Sequence, residues 1–170
     1  MYDQRTEIWN STWRSLYETF YQELLSERLV LRWKRFDDFS KLLIAFTASG
    51  SAISGWTLWN KDEYKFIWLI FAGAGAILSI ISKTLDVSIR INDWSDSRSI
   101  YSLLRIKYQI LFDEMKFKPD FLIDETIEKL NNLKLEYAEV YKKNTVDAFL
   151  TNRLKYSVQN ELNNNLSQYN

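Results

Sequence analysis

Two stretches without a charge dominate the pattern of apolar and polar positions along this chain. Leu42 to Asn60 runs nineteen residues with no Asp, Glu, Lys or Arg, and Phe66 to Ser82 adds seventeen more. Only Lys61-Asp62-Glu63-Tyr64-Lys65 separates them. At about 1.5 Å per residue each run makes a helix of roughly 26–28 Å, close to the hydrocarbon thickness of a bilayer. Lys41 and Lys61 bracket the first run, and Lys65 and Lys83 the second. Trp56, Trp59, Tyr64 and Trp68 collect near the connector, where interfacial aromatics belong. The pattern predicts a transmembrane hairpin over 42–83, with spans at 42–60 and 66–82. A buried helical hairpin in a soluble protein is the alternative.

Before the first run, Trp9, Trp13, Leu16, Phe20 and Leu24 step by 4, 3, 4 and 4. This spacing predicts one amphipathic helix over 5–36, with Tyr17 and Tyr21 flanking the stripe. Arg14, Glu18, Gln22, Glu23 and Glu27 take the other face. A stripe so rich in aromatics reads as a helix–helix seam. After the second run no Gly or Pro interrupts Thr84 to Met115, so a helix is expected to continue without a break. Its apolar face is Tyr101, Leu104, Tyr108, Leu111 and Met115, a coiled-coil-like rhythm. Asp86 and Arg90 are spaced as an i, i+4 pair. Asn92 to Arg98, polar except for Trp94, reads as a solvated face or as the wall of a vestibule.

Lys118-Pro119-Asp120 marks a corner. Ile123, Ile127, Leu130, Leu133, Tyr137 and Val140 then predict a helix folding back on its predecessor. Val146, Leu150, Leu154, Val158, Leu162 and Leu166 recur every four residues, a period that drifts around an α-helix. This last stretch is expected to bend, supercoil or fray, and the Asn-rich end from Asn160 to Asn170 to loosen.

Composition narrows the function classes. Lys plus Arg and Asp plus Glu each total 22 among 170 residues, so no net charge draws the chain toward nucleic acid. Without Cys there is no disulfide framework and no thiol nucleophile. Without His as well, zinc sites, haem ligation and histidine acid–base chemistry lack their usual groups. All four glycines lie in the apolar runs, which leaves none for a phosphate-cradling loop elsewhere. Adjacent acids such as Asp37-Asp38 and Asp113-Glu114 point to different helix faces. The runs hold no carboxylate for proton coupling and no cation for voltage sensing. The first run also starts too deep in the chain for a secretory signal peptide. No catalytic residue, metal ligand or cofactor is assigned, and the chain is not expected to be an enzyme.

Three groups of candidate site residues remain. Arg28, Arg32, Lys34, Arg35 and Lys41 gather before the first run, while Lys83, Arg90, Arg98 and Arg105 follow the second. Such flanks place both termini in the cytoplasm and the connector outside. Arg28, Arg32, Lys34, Arg35 and Arg90 are also candidates to bind an anionic ligand, whether lipid or nucleotide. Thr47, Ser51 and Ser54 step by 4 and 3 and put three hydroxyls on one face. That face either packs dry or lines a water-filled path between assembled copies. Gly50, Gly55, Gly73 and Gly75 are candidate helix-packing positions, the last two inside Ala72-Gly73-Ala74-Gly75-Ala76. One hairpin cannot enclose a conduction path, and the apolar stripes exceed what a thin subunit buries. A symmetric homo-oligomer is therefore expected, a tetramer in the first instance.

A cytoplasmic helix, two close transmembrane helices, a long helix and a C-terminal helical pair together resemble the SLATT proteins. These are two-transmembrane effectors of nucleotide-signalling antiphage defence in bacteria. Trp94-Ser95-Asp96-Ser97-Arg98-Ser99-Ile100-Tyr101-Ser102-Leu103-Leu104 is similar to the family's post-membrane helix. Leu130-Asn131-Asn132-Leu133-Lys134-Leu135-Glu136-Tyr137-Ala138-Glu139-Val140-Tyr141 resembles its downstream segment. The likeness extends over roughly residues 20 to 145 and lies in layout more than in an invariant motif. It implies an oligomeric effector of the bacterial inner membrane that opens an ion-conducting path and depolarises the cell. It also implies control by a nucleotide or oligonucleotide made by a partner nucleotidyltransferase. The short effectors of Hailong-type systems, which carry no separate sensor domain and are held shut by the signal, are the best fit.

The expected fold is thus an all-α membrane protein. An amphipathic cytoplasmic helix fills 1–41, the hairpin 42–83, and cytoplasmic helices 84–170. The alternative function is a non-conducting membrane adaptor that recruits a soluble partner.

Overall fold

A computed structural model describes residues 4–53, 62–118, 120–143 and 147–167 of the chain. Side chains at 46–53, 62–65, 67–69, 71–72 and 143 stand outside that description. The protein is all-α: the described residues form α1 (Gln4–Ile53), α2 (Asp62–Thr84), α3 (Val87–Phe117), α4 (Ile123–Lys143) and α5 (Asn152–Ser167). Among the described residues no helix is long and apolar enough to cross a membrane. Much of both charge-free runs, at 46–61, 67–69 and 71–72, falls outside the side-chain description. The chain divides into two compact units, residues 1–29 with 93–170, and residues 30–92.

The first unit is a helical bundle built around the predicted face of α3. Tyr101, Leu104, Tyr108, Leu111 and Met115 are all buried, as their 3-4 spacing requires. Ile8 and Leu16 of α1 and Leu130 of α4 close over Tyr108, Leu111 and Met115. Val140 of α4 joins Tyr101 and Leu104 in a neighbouring cluster, and Leu133 touches both. Polar pairs at the rims set the register. Arg105 reaches Glu23 at 2.5 Å and Arg98 reaches Glu27 at 3.3 Å, while Lys107 bonds Glu136 at 2.7 Å. The two pairs to α1 make α3 antiparallel to it, and Lys107–Glu136 together with Lys129–Glu114 does the same for α4.

On α1 the predicted seam is rotated. Trp13 is exposed and tilts against Phe112 from the rim. The deepest line instead carries Ile8, Thr12, Leu16, Thr19 and Ser26. Short side chains let a neighbouring helix approach closely, whereas a broad indole fits better at the edge. Thr12 and Thr19 satisfy their hydroxyls on Ile8 O (2.9 Å) and Ser15 O (2.7 Å) of their own helix. Ser26 Oγ has no hydrogen-bond partner.

Three further expectations change in this unit. Asn92 to Arg98 is not simply solvated, because Trp94 and Ser97 are buried. On α4 the buried position is Thr126 rather than Ile127, since the Thr126 hydroxyl is satisfied on Leu122 O at 2.8 Å. The four-residue repeat packs rather than frays: Leu154, Val158 and Leu162 are all buried on α5. Thr151 caps this helix by accepting from Leu154 N–H at 3.3 Å. The helix continues through the Asn-rich stretch to Ser167, where Asn163 Oδ1 accepts from Tyr17 of α1 at 2.9 Å. Tertiary contact outweighs poor helix propensity there. Val146 and Pro119 lie outside the described residues.

In the second unit, α1 runs on to Ile53 with Val30, Trp33 and Ser40 buried. Trp33 packs edge-on against Phe36, with centroids 6.1 Å apart. The unbroken helix expected after Thr84 is interrupted at Leu85-Asp86. Asp86 adopts a positive φ of 47°, which ends α2, and its carbonyl accepts the Arg90 N–H at 3.0 Å to begin α3. Aspartate enters this left-handed region more readily than most residues, so the break needs neither Gly nor Pro.

Candidate functional site

The hairpin candidates divide sharply in what can be placed. The backbone of Thr47, Gly50 and Ser51 belongs to α1, while their side-chain environment lies outside the described residues. Ser54 and Gly55 lie wholly outside them. Gly73 and Gly75 sit in α2, Gly75 buried and Gly73 exposed. A Cβ built on Gly73 would meet no atom within 4 Å among the described residues. Gly73 also falls on an exposed line with Phe66, Ile70, Ile77 and Ile80. Their steps of 4, 3, 4 and 3 form a continuous seam on one side of α2, the spacing of helices that wind around one another.

The cations of the basic collar differ in what they already hold. Arg28 is committed to Glu161 of α5, with Nη2 to Oε2 at 2.7 Å. That hydrogen bond and the carboxylate's charge push the guanidinium pKa up. Arg28 belongs to the first unit, whereas Arg32, Lys34, Arg35 and Arg90 belong to the second. Arg32 and Arg90 are half-buried and already engaged, while Lys34 and Arg35 are exposed. Lys41 is held by Asp37 one turn back at 2.6 Å, which raises its pKa. Salt-bridged arginine is a poorer anion receptor than a free one, because a ligand must first displace the carboxylate.

A polar cleft in the first unit escaped sequence reading. It has a volume of about 290 Å³ and lies among α1, α3 and α4. Arg14, Glu18 and Ser15 line it from α1, Tyr108 from α3, and Lys134 and Tyr137 from α4. Lys134 Nζ donates to Ser11 Oγ at 2.7 Å, and Tyr137 donates to Glu18 Oε1 at 3.0 Å. Burial raises the Tyr108 pKa to about 12, and the Tyr137 pKa is raised first by burial and then by Glu18. Both phenols therefore remain protonated donors at neutral pH. No pattern within one helix could reveal the cleft, since its charges come from segments more than a hundred residues apart.

A second, larger hollow of about 520 Å³ lies at the α3–α4 corner over Leu111, Met115 and Phe121. On its charged rim Lys129 pairs with Glu114 at 3.4 Å and with Glu125 at 3.0 Å, and Asp120 with Arg5 at 3.6 Å. Among the described residues no group of acidic side chains is arranged to hold a metal ion. No protein-family model, no curated protein and no solved structure matches the chain.

Proposed function

We propose that this chain is a two-pass effector of the bacterial inner membrane, both termini cytoplasmic, that assembles into a homo-oligomer and forms an ion-conducting pore. In this reading the pore depolarises the cell in antiphage defence. A nucleotide or oligonucleotide from a partner nucleotidyltransferase controls it. The observation that carries assembly is the exposed seam Phe66, Ile70, Gly73, Ile77 and Ile80 on α2. It lies within a charge-free run of bilayer length, and helices in lipid associate through such close-packing lines. The hydroxyl face Thr47, Ser51 and Ser54 supplies the water-compatible wall.

The test is ion flux from liposomes containing the purified protein, with and without added nucleotides. Flux that a nucleotide alters supports the reading. Inserted, oligomeric protein that passes no ions overturns it. Replacing Thr47, Ser51 and Ser54 together with Leu should abolish flux while leaving the oligomer intact.

One observation favours a membrane adaptor instead. Leu103, Ile106, Ile110 and Phe117 form a second exposed apolar line on α3, outside the hairpin. An adaptor would use that line to hold a soluble partner. It would then lack both conductance and toxicity on overexpression.

A further inference from the structure

We infer that the cleft among α1, α3 and α4 is a binding site for a small phosphate monoester of nucleotide size. Its chemistry is one-sided. Arg14, exposed at the mouth, makes no hydrogen bond or ion pair among the described residues, so its planar fork is available to an anion. Lys134 faces the same space and spends one of its three N–H donors on Ser11. Glu18 is the one carboxylate in the lining. Tyr137 already donates to one of its oxygens, and the other suits a sugar hydroxyl. The charge balance of the lining is therefore one positive, with donors in excess.

Every residue of the lining carries a polar side-chain group and none is aliphatic, while the Tyr108 and Tyr137 rings supply apolar wall. At about 290 Å³ it accepts one phosphate with a sugar and part of a base, and not an oligonucleotide along its length. The Tyr108 phenol is buried at the inner end beside Ser15, and burial raises its pKa to about 12, so it stays protonated at neutral pH. Arg28 of the collar is closed by Glu161, whereas Arg14 makes no ion pair among the described residues. The site rests on the nucleotide-controlled reading above, and its failure is distinguishable from that reading's because binding and ion flux are measured separately.

The test uses the full chain in phosphatidylcholine nanodiscs, titrated calorimetrically with inorganic phosphate and with AMP. AMP should bind more tightly than phosphate. Arg14→Gln and Lys134→Gln should each weaken AMP by about tenfold, the effect of losing one charge-assisted hydrogen bond. Lys155→Gln, on an exposed residue of α5 outside the cleft, should leave binding unchanged. Arg14 and Lys134 are both exposed, so unaltered thermal midpoints of the free variants will show that the fold survives. In nanodiscs containing phosphatidic acid, whose headgroup is a phosphate monoester, an Arg14-dependent rise in thermal midpoint without AMP binding assigns the same site to a lipid phosphate. No binding of phosphate, AMP or phosphatidic acid overturns the site, as does binding indifferent to both cleft variants.

Discussion

The indole N–H of Trp94 donates to the carboxylate of Asp147 across 2.6 Å, and both residues are buried. The other Asp147 oxygen accepts the Phe149 N–H at 2.8 Å, so one acid ties α3 to the turn that launches α5. Trp94→Phe should keep most of the packing while removing a donor from a buried carboxylate. The expected loss is about 1–3 kcal/mol in denaturant unfolding of the detergent-solubilised chain. Asp147→Asn, which can still accept from the indole, should cost less than Asp147→Leu.

Ser26 has the opposite sign. Its hydroxyl is fully buried in α1 and has no hydrogen-bond partner. Ser26→Ala removes that unsatisfied group and improves helix propensity, so it should stabilise the chain by roughly 0.5–1 kcal/mol. Ser26→Leu must overfill the same close contact and should destabilise by about 1–3 kcal/mol. Thermal unfolding of the pair measures both signs in one experiment.

Asp86 is the hinge point in the backbone between α2 and α3. Its φ of 47° suits Gly or Asn and opposes a β-branched side chain. Asp86→Asn should be tolerated. Asp86→Val should lose about 1–3 kcal/mol, or straighten the break into one helix. Circular dichroism would record the added helix, and unfolding the loss.

Alkali should weaken the first unit through its buried phenols. Burial raises the Tyr108 pKa from 10.0 to about 12. A proton held more tightly in the folded state stabilises that state fully below the unfolded pKa. The contribution is then lost as pH climbs from 10.0 through about 12. Tyr108→Phe should flatten the stability profile across that window. Tyrosinate absorbance should show a delayed step that disappears in the variant.

Gly73 tests the seam on α2. Since an added Cβ meets nothing within 4 Å among the described residues, Gly73→Leu should leave the isolated subunit's helix content unchanged. If copies pack along the line from Phe66 to Ile80, the same change should lower the oligomer fraction several-fold. Cross-linking in detergent and in lipid would report it. An unchanged oligomer distribution would remove the seam from the assembly.

Sequence periodicity by itself determined that the protein is helical and which face of α3 is buried. Five apolar residues at 3-4 spacing have only one common face, so Tyr101 to Met115 needed no tertiary information. It also determined two charge-free runs, because absence of charge is a property of composition alone. Tertiary structure decided which neighbour each face meets. Thr12, Thr19 and Ser26 are polar by type, and only close helix approach turned them inward in place of Trp13. The break at Asp86 was hidden because aspartate carries no obligatory breaker signal. The pairing of Arg28 with Glu161, and of Trp94 with Asp147, joins residues whose separation along the chain exceeds any helical period. The cleft holding Arg14 and Lys134 has the same origin: a site made from three helices exists only after they pack.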